Sequence, residues 1–554
     1  MLIQFTLTMN SSIIFLFMVP SLEFIVFGSN RSHFLLSVST LLYHIFFRTV
    51  QTMRIKYAQV DSSVPMQEQI ELDVKEPNLK SDSTVKLNSP SNGIQNCSAI
   101  LLLAISAAVL GGAFQFGFAI GNVANTIPII KSTFNTTDLF ISVFVSGNPI
   151  GGLFGALLAG FVADSIGRTR SMILNLIPFL IGCLLMSTAP NQYLLVVGRI
   201  VMGFGVGIGS GLTNIFLSEI APISIRGGVG MLYGVVLTVG TLASYLLSMP
   251  QVIGDGNIGW RLFFAIPILP ALYQSVVLLC CPESPRYLAF NKQDTAAAKQ
   301  ALARYRRVMT EDEAEDLIPK QSDSVKVLSF GELFSDPGHR LALGIGIGLH
   351  AAQQLSAINA VLSYTPNIFA EANVGSPVIA TVATGSVNVL VAVVAAPLTD
   401  KLGRRLIMWA GLLLMTAAYC GLAVTQSCAG AWNCGGRWTE YVAIASVFLF
   451  IIGFAGGAGS IPWLMVSELF VVEARGKASS ICVGVNWICS LISLLTYETI
   501  QSSIHPYTFF LYMTIVLVSF LFVLLFMPET RLKSVEQIRD EIRDQAEKVP
   551  PFIF

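Results

Sequence analysis

The chain has 554 residues, 53% of them hydrophobic and only 12% charged, with Lys+Arg and Asp+Glu both at 33. Soluble domains carry roughly 25% charged residues, so this is the composition of a membrane protein. The even charge balance offers no field to draw nucleic acid. The nine cysteines are scattered, mostly inside apolar runs, which argues against a disulfide scaffold or a zinc site.

In chain order, residues 1–52 hold the apolar stretch "SIIFLFMVPSLEFIVFG", broken by Pro20 and Glu23 and preceded by no basic region, a poor signal peptide. An additional hydrophobic extension and a true start at Met53 both stay open. Residues 53–97 are polar and read as a disordered lead. Apolar runs near the roughly 20 residues that a spanning helix needs then follow. They cover about 98–121, 139–163, 171–189, 193–219, 228–249, 262–281, 341–369, 377–398, 405–425, 441–466, 478–497 and 507–527. The charged, helix-prone stretch 282–340 ("DTAAAKQALARYRRV") divides these twelve spans six and six, and residues 528–554 form a tail. The expectation is an all-α membrane protein of two six-helix bundles, 98–281 and 341–527, with cytoplasmic helices between them.

Loop charge gives orientation. Arg168, Arg170, Arg226, the nine Lys/Arg from Arg286 to Arg340, Lys401, Arg404, Arg405, Arg475 and Lys477 follow even-numbered spans. The alternate loops hold only Lys131, Arg261 and Arg437. The first set is therefore cytoplasmic, with both ends of the twelve-span core. The sequon at Asn135 then falls outside, where glycosylation requires it; Asn10, Asn30 and Asn96 head further sequons. In "QSCAGAWNCGG", on the same outer side, Cys428 and Cys434 are read either as a local disulfide or as two free thiols.

Three patterns occur once in each half. Asp164-Ser-Ile-Gly167-Arg168 answers Asp400-Lys-Leu-Gly403-Arg404 at a displacement of 236. Ser218-Glu219 with Arg226 answers Ser467-Glu468 with Arg475 at 249, and Pro282-Glu283 answers Pro528-Glu529 at 246. A duplicated six-helix unit follows, the construction of a rocking-bundle carrier. The acids and arginines sit at helix ends, where they can pair with each other and with helix dipoles. The plainer reading is topology signalling and capping; acids recurring opposite the arginines favour a gating role.

A second signal is "GLHAAQQLSAINA" at 348–360, polar inside an apolar run. Uncharged polar groups gain nothing from lipid and should face a protein interior or a cavity. Carboxamides both donate and accept, which suits a polyhydroxy solute. On an ideal helix Gln353 and Asn359 stand about 240° apart, so both line one cavity only if span 7 bends or unwinds. The competing reading is interhelical hydrogen bonding.

"DSIGRTR", "PESPRYL", "SELF…EARG", "DKLGRR" and "PETR", in this order over about 98–540, resemble the sugar porter family of the major facilitator superfamily. "GGAFQFGFAIG" and "QQLSAINAVLSYT" are most similar to its facilitative hexose transporters. The resemblance implies passive carriage of a hexose, glucose first, across the plasma membrane by alternating access. It makes Gln353, Gln354 and Asn359 hydroxyl-binding amides, Asn388, Trp463 and Asn486 further pocket positions, and Gln115 a weaker one. It makes Tyr364 an outer-gate tyrosine. It has Asp164, Arg168, Glu219, Arg226, Glu283, Asp400, Arg404, Glu468, Arg475 and Glu529 tie the halves together at the inner face in the outward-open state. Arg199 is read either as a snorkelling interface residue or as a structural residue near the outer opening.

Four positions depart from the family's pattern. Gly234 stands where span 5 has a glutamine, Ala455 where span 10 has an acid, and Ala458-Gly459-Ser460 where span 10 has Pro-Gly-Pro. His350-Ala351-Ala352 replaces the Gln-Leu-Ser triplet of glucose-selective members and is nearer the form of those that also accept fructose. A fructose or polyol carrier is therefore the alternative. Span 1 holds no Asp, Glu or His, which favours uniport over proton symport, and His350 reads as a packing histidine. No nucleotide loop, nucleophile–base constellation or metal spacing occurs, so neither pump, enzyme nor cofactor is expected. The short tail counts against a signalling nutrient sensor. The expected partners are a small sugar and the bilayer, with no nucleic acid.

Overall fold

A computed structural model describes residues 97–253, 258–307, 329–432 and 434–548. The apolar stretch and polar lead up to residue 96, with the sequons at Asn10, Asn30 and Asn96, lie outside these residues, as does the side chain of Asp400. Twelve helices among the described residues are long and apolar enough to cross a membrane. Spans 1–6 are Ala99–Gly121, Asp138–Ile166, Arg168–Ser187, Gln192–Ile220, Ser224–Leu247 and Gly259–Leu279; spans 7–12 are Pro337–Glu371, Pro377–Thr399, Arg404–Ala429, Arg437–Leu469, Ala474–Ile504 and Thr508–Phe526. The expected twelve-span, all-helical architecture is what folds.

Local chemistry sets the ends. Thr137 and Asn191 cap spans 2 and 4 by accepting from Phe140 N and Leu194 N, and Asp336 caps span 7 through Gly338 N. At the corners between spans 2 and 3 and between spans 8 and 9 the backbone needs φ of +102° at Gly167 and +92° at Gly403, and in both cases glycine is present.

Five spans are interrupted; spans 3 and 6 break briefly, at Asn175 and at Ile266-Pro267. Span 1 carries a π-turn at Val109–Phe114, and span 10 one at Phe454–Ala458. The latter ends at Ala458, the first of the three positions where Pro-Gly-Pro was expected, and Gly456, with nothing within 4 Å of an added Cβ, and Gly457 lie within it. Span 7 stops at Leu355 and restarts at Ile358, with Ala357 in the left-handed region at φ +59°.

Spans 2 and 4 approach backbone to backbone. A Cβ on Gly155 would lie 2.1 Å from Phe204 O, and one on Gly207 2.2 Å from Gly152 O. With lipid as apolar as leucine, such close contact is what drives helices together in a membrane. Between the halves, span 2 meets span 11 and span 5 meets span 8. The Trp487 indole covers Gly152 and stacks on Phe116 at 5.6 Å.

Helices Pro285–Phe290 and Thr295–Tyr305 follow span 6, and Tyr305 OH donates to Pro282 O at 2.6 Å. The amphipathic helix Val535–Lys548 buries Ile538 and Ile542, packing on the start of span 7. This end of the molecule is called the linker end below, and the opposite one the Asn135 end.

Leucine at Gly155 should destabilise the fold by about 3 kcal/mol through overpacking. Leucine at Gly160, which has nothing within 4 Å, should be neutral. Thermal unfolding of the purified protein, followed by loss of the monodisperse peak, checks the pair.

Candidate functional site

The site is built where span 7 breaks. A break frees carbonyls that lipid cannot satisfy, and three of them find a hydroxyl. Ser356 Oγ donates to Gln353 O at 2.6 Å, Ser493 Oγ of span 11 to Gln354 O at 2.8 Å, and Tyr419 OH of span 9 to Ser356 O. The chain reverses its facing across the break, so Gln353 and Asn359 reach one group of side chains despite their separation on an ideal helix.

Those side chains form a directional chain. Gln353 Nε2 donates to two carbonyls of the interrupted stretch of span 10, Ala458 O at 2.7 Å and Gly459 O at 2.8 Å. Carbonyls only accept, so Gln353 must present its oxygen to Asn486, whose Nδ2 donates to it at 2.7 Å. The same nitrogen meets His350 Nδ1 at 3.0 Å, which must then be the bare ring nitrogen: His350 is neutral, with its hydrogen on Nε2. Asn486 Oδ1 in turn accepts from Gln354 Nε2 at 3.0 Å, and Gln354 Oε1 from Asn359 Nδ2 at 2.8 Å. Asn359 Nδ2 also reaches Ser490 Oγ at 2.8 Å. Four carboxamides from two spans therefore share one polarity, set by span 10.

Trp463 stands at the edge of this group, 43% exposed, with its ring at 87° to that of His350 and 5.0 Å away. Asn359, Ser490 and Trp487 line a small cavity, about the size of a water molecule, opposite Phe116, Asn148 and Arg199 of the first half. Asn148 and the serines were missed in the sequence. The serines had a readable signal, since Asn486, Ser490, Ser493 and Tyr497 fall at helical spacing along one stripe of span 11. Asn388 is buried on span 8 outside the amide chain. Gln115 is a correction: it turns away, donating to Pro267 O of span 6 at 2.7 Å, and serves packing within the first half.

Arg199 is 1% exposed, which removes the snorkelling reading. Its guanidinium donates to Asn122 Oδ1 and, at 2.9 Å, to Ala119 O, and lies 5.6 Å over the Phe144 ring, tying span 4 to span 1. At the Asn135 end the halves are joined. Tyr245 OH of span 5 donates to Leu362 O of span 7 at 2.6 Å, and Tyr364 is buried, stacked on Tyr497 at 4.9 Å. Exposed Asn135 and the disulfide Cys428–Cys434 also lie at this end.

At the linker end span 5 exposes Arg226, Gly227, Gly230 and Gly234, and an added Cβ on any of the three glycines would meet nothing within 4 Å. A lipid-facing stripe carries large apolar groups, as span 6 does with Leu269 and Val276. Span 5 carries small and charged residues there instead.

The repeated charges resolve into two copies of one device, each inside its own half. Glu283 accepts from Thr169 N at 2.8 Å beside Gly167; Glu529 accepts from Arg404 N at 3.0 Å and Arg405 N at 3.1 Å beside Gly403. These carboxylates cap spans 3 and 9. Arg168 pairs with Glu219 at 3.1 Å and with Asp164 at 3.1 Å; Arg404 pairs with Glu468 at 3.2 Å. Arg475 donates to Phe470 O at 3.2 Å. The resemblance has these groups tie the halves together in the outward-open state; the pairs seen here each bond within one bundle.

Two bundles meeting at spans 2, 5, 8 and 11 around a polar midpoint, with broken helices at that point, define a secondary carrier. The chain matches the Sugar (and other) transporter family over residues 104–541 and belongs to it. It is 34% identical over 418 residues to solute carrier family 2, facilitated glucose transporter member 2, of Rattus norvegicus, covering 74% of this chain and 79% of that one. It is also 34% identical to facilitated glucose transporter protein 1 of Caenorhabditis elegans, over 83% of this chain and 93% of the relative. Among solved structures, the inward open conformation of the xylose transporter XylE from E. coli matches with a TM-score of 0.65 at 24% identity, over 80% of this chain and 99% of that one, a likeness of fold.

Burial raises the affinity of Glu529 for a proton, but backbone N–H groups of Arg531, Arg404, Arg405 and Thr530 outweigh it, and its pKa lies below the ordinary value. A depressed carboxylate stabilises the fold above its unfolded pKa, and that contribution is lost as pH falls through the folded value. Glu529→Gln should therefore lower stability at pH 7 by about 1 kcal/mol, the usual worth of a cap. The gap between variant and wild type should close below about pH 4, measured by thermal unfolding across pH.

Proposed function

We propose that this chain is a facilitative carrier for a neutral hexose, with glucose the first candidate, working in the plasma membrane by alternating access. The observation that supports this most is the chain of four carboxamides held at the broken midpoint of span 7. It is uncharged and self-satisfied, so a solute enters only by replacing amide–amide bonds with its own. A hexose can, because each hydroxyl both donates and accepts. In this reading Gln353, Gln354, Asn359 and Asn486 take hydroxyls, Trp463 packs on a ring face, and Asn388 borders the pocket. Tyr364 closes the outer side, and Asp164, Arg168, Glu219, Arg226, Glu283, Asp400, Arg404, Glu468, Arg475 and Glu529 serve the inner one. The linker end, and with it both ends of the twelve-span core, is cytoplasmic. Contacts such as Tyr245 to Leu362 O at the Asn135 end support an inward-facing state, and Asn135 is the glycosylated residue. Span 1 offers no Asp, Glu or His for proton coupling, which favours uniport.

One observation favours a second reading. Gly234 faces open space on span 5, so the side of the pocket that the family fills with an amide is bare, and a fructose or polyol carrier is the alternative.

The test is uptake of labelled D-glucose into hexose-transport-deficient cells expressing the full chain, with fructose, galactose and a polyol as competitors. Expected are saturable uptake that survives collapse of the proton gradient, and a KM raised up to about tenfold in Asn359→Ala. Surface-expressed protein with no glucose uptake overturns the hexose reading. Uptake that disappears with the gradient overturns uniport.

A further inference from the structure

The sequence allows Gln353 and Asn359 to share a cavity only if span 7 breaks, and nothing in the break itself makes that shape cheap. Ala357 adopts φ +59°, a region that residues with a Cβ visit rarely, and no glycine or proline stands between Gln353 and Asn359 to demand it. Such a conformation persists only where the surroundings over-determine it. The competing conformation is a continuous helix in which Ser356 O accepts from Ala360 N–H. That helix would turn Asn359 away from Gln353.

We propose that Tyr419 of span 9 is the positioning residue that keeps span 7 broken. Its hydroxyl donates to Ser356 O, the carbonyl that a continuous helix would need. Of the three capped carbonyls this one governs the competition. The bond from Ser356 Oγ is one that a serine makes in an ordinary helix, and Gln354 O already accepts from Ala357 N at 3.0 Å. The Tyr419 side chain is fully buried, and its ring is fixed by Phe450 at 4.8 Å, Phe509 at 5.7 Å and Tyr512 at 6.0 Å. The stack continues from Tyr512 to Tyr497 at 6.1 Å and from Tyr497 to Tyr364 at 4.9 Å. Tyr364 lies on the segment of span 7 beyond the break, so one aromatic row grips the helix on both sides of Ala357. Tyr419 touches no solute in this arrangement; it acts through the placement of Gln353 and Asn359.

The transport consequence rests on the proposed hexose reading; the conformational one does not, and the experiment separates them. Full-length wild type, Tyr419→Phe and Tyr419→Phe/Ala357→Gly are compared in lipid nanodiscs by hydrogen exchange and in cells by hexose uptake per surface molecule. Phenylalanine keeps the packing and removes only the hydroxyl. Tyr419→Phe should exchange about tenfold faster over Gln354–Val361, the usual reach of one lost hydrogen bond, with the other spans unchanged. Its KM should rise about fivefold or more with Vmax within about twofold. Glycine accepts φ +59° without steric cost, so the double variant should recover both. Unchanged exchange at the break, exchange raised throughout the protein, or no recovery by Ala357→Gly overturns the proposal. Should Tyr419→Phe fail to reach the membrane, Ala357→Gly alone decides: exchange at the break at least about twofold slower supports it, and unchanged exchange overturns it. A wild type that carries no hexose removes the transport arm and the hexose reading together, leaving exchange to decide the role of Tyr419.

Discussion

A carbonyl released inside a membrane has no water to turn to, and the break in span 7 depends on that fact. Bending the helix brings amides from both of its segments to one place, but it is possible only because Ser356, Ser493 and Tyr419 supply hydroxyls to the carbonyls involved. The same requirement runs on into the pocket. Ala458 O and Gly459 O, freed where span 10 is interrupted, take the two hydrogens of Gln353, and from that contact the donor and acceptor sense of Asn486, Gln354 and Asn359 follows. Two helix breaks thus complete each other, one offering carbonyls and the other an amide. Movement of span 10 would change what Gln353 presents, which links a gating segment to the binding amides without any charged group.

The duplicated charges obey a different logic. Glu283 and Glu529 each sit against a glycine corner that a Cβ would close, at 2.4 Å and 2.6 Å; Glu283 accepts through Oε1 from Thr169 N, and Glu529 through both oxygens from Arg404 N and Arg405 N. Arg168 with Glu219, and Arg404 with Glu468, complete two similar clusters. All these bonds stiffen a bundle internally. The bonds that join the bundles are of another kind, such as Tyr245 to Leu362 O, made by a neutral hydroxyl with less to lose on separation. Strong bonds inside each half and weaker ones between halves are what two bodies need if they are to rock against each other.

Much of this was legible in the sequence because bilayer physics leaves few options. Twelve apolar runs gave twelve helices, and the repeats placed Glu283, Glu529 and their arginines at equivalent corners. Polar residues amid "GLHAAQQLSAINA" pointed inward, and the angle between Gln353 and Asn359 required a break that the structure places at Ala357. What stayed hidden was partner choice. Gln115 is the one polar side chain of "GGAFQFGFAIG", and it donates to Pro267 O, a carbonyl at the break within span 6 that its own sequence does not announce. Arg199 could have reached water along its own helix, and only the packing of span 1 shows that it bonds Asn122 and Ala119 instead. Tyr419 lies in an apolar run with nothing nearby in sequence to mark it, because its partner is 63 residues away. The pairing of acids with arginines inside a half was equally unreadable, since loop composition says which charges share a face but not the distances between them.

Because the amides already bond one another and span 10, selectivity in the proposed reading is a difference between two hydrogen-bonded states. In that reading a solute gains entry to the pocket by returning to Gln353, Gln354, Asn359 and Asn486 the bonds it takes away. One lacking a matched donor or acceptor leaves a buried amide unpaired, at a cost of about 1–3 kcal/mol. That penalty rejects apolar solutes, but it distinguishes poorly among polyols, all of which can return such bonds. Discrimination among sugars must then come from shape, from the Trp463 face and from the opposite wall of the pocket. On that wall stand Phe116, Asn148 and Arg199, and Arg199 is already committed to Asn122 and Ala119 O. Under the proposed reading, the amides of spans 7 and 11 select for hydroxyl-bearing solutes, and finer discrimination falls to shape and to that wall.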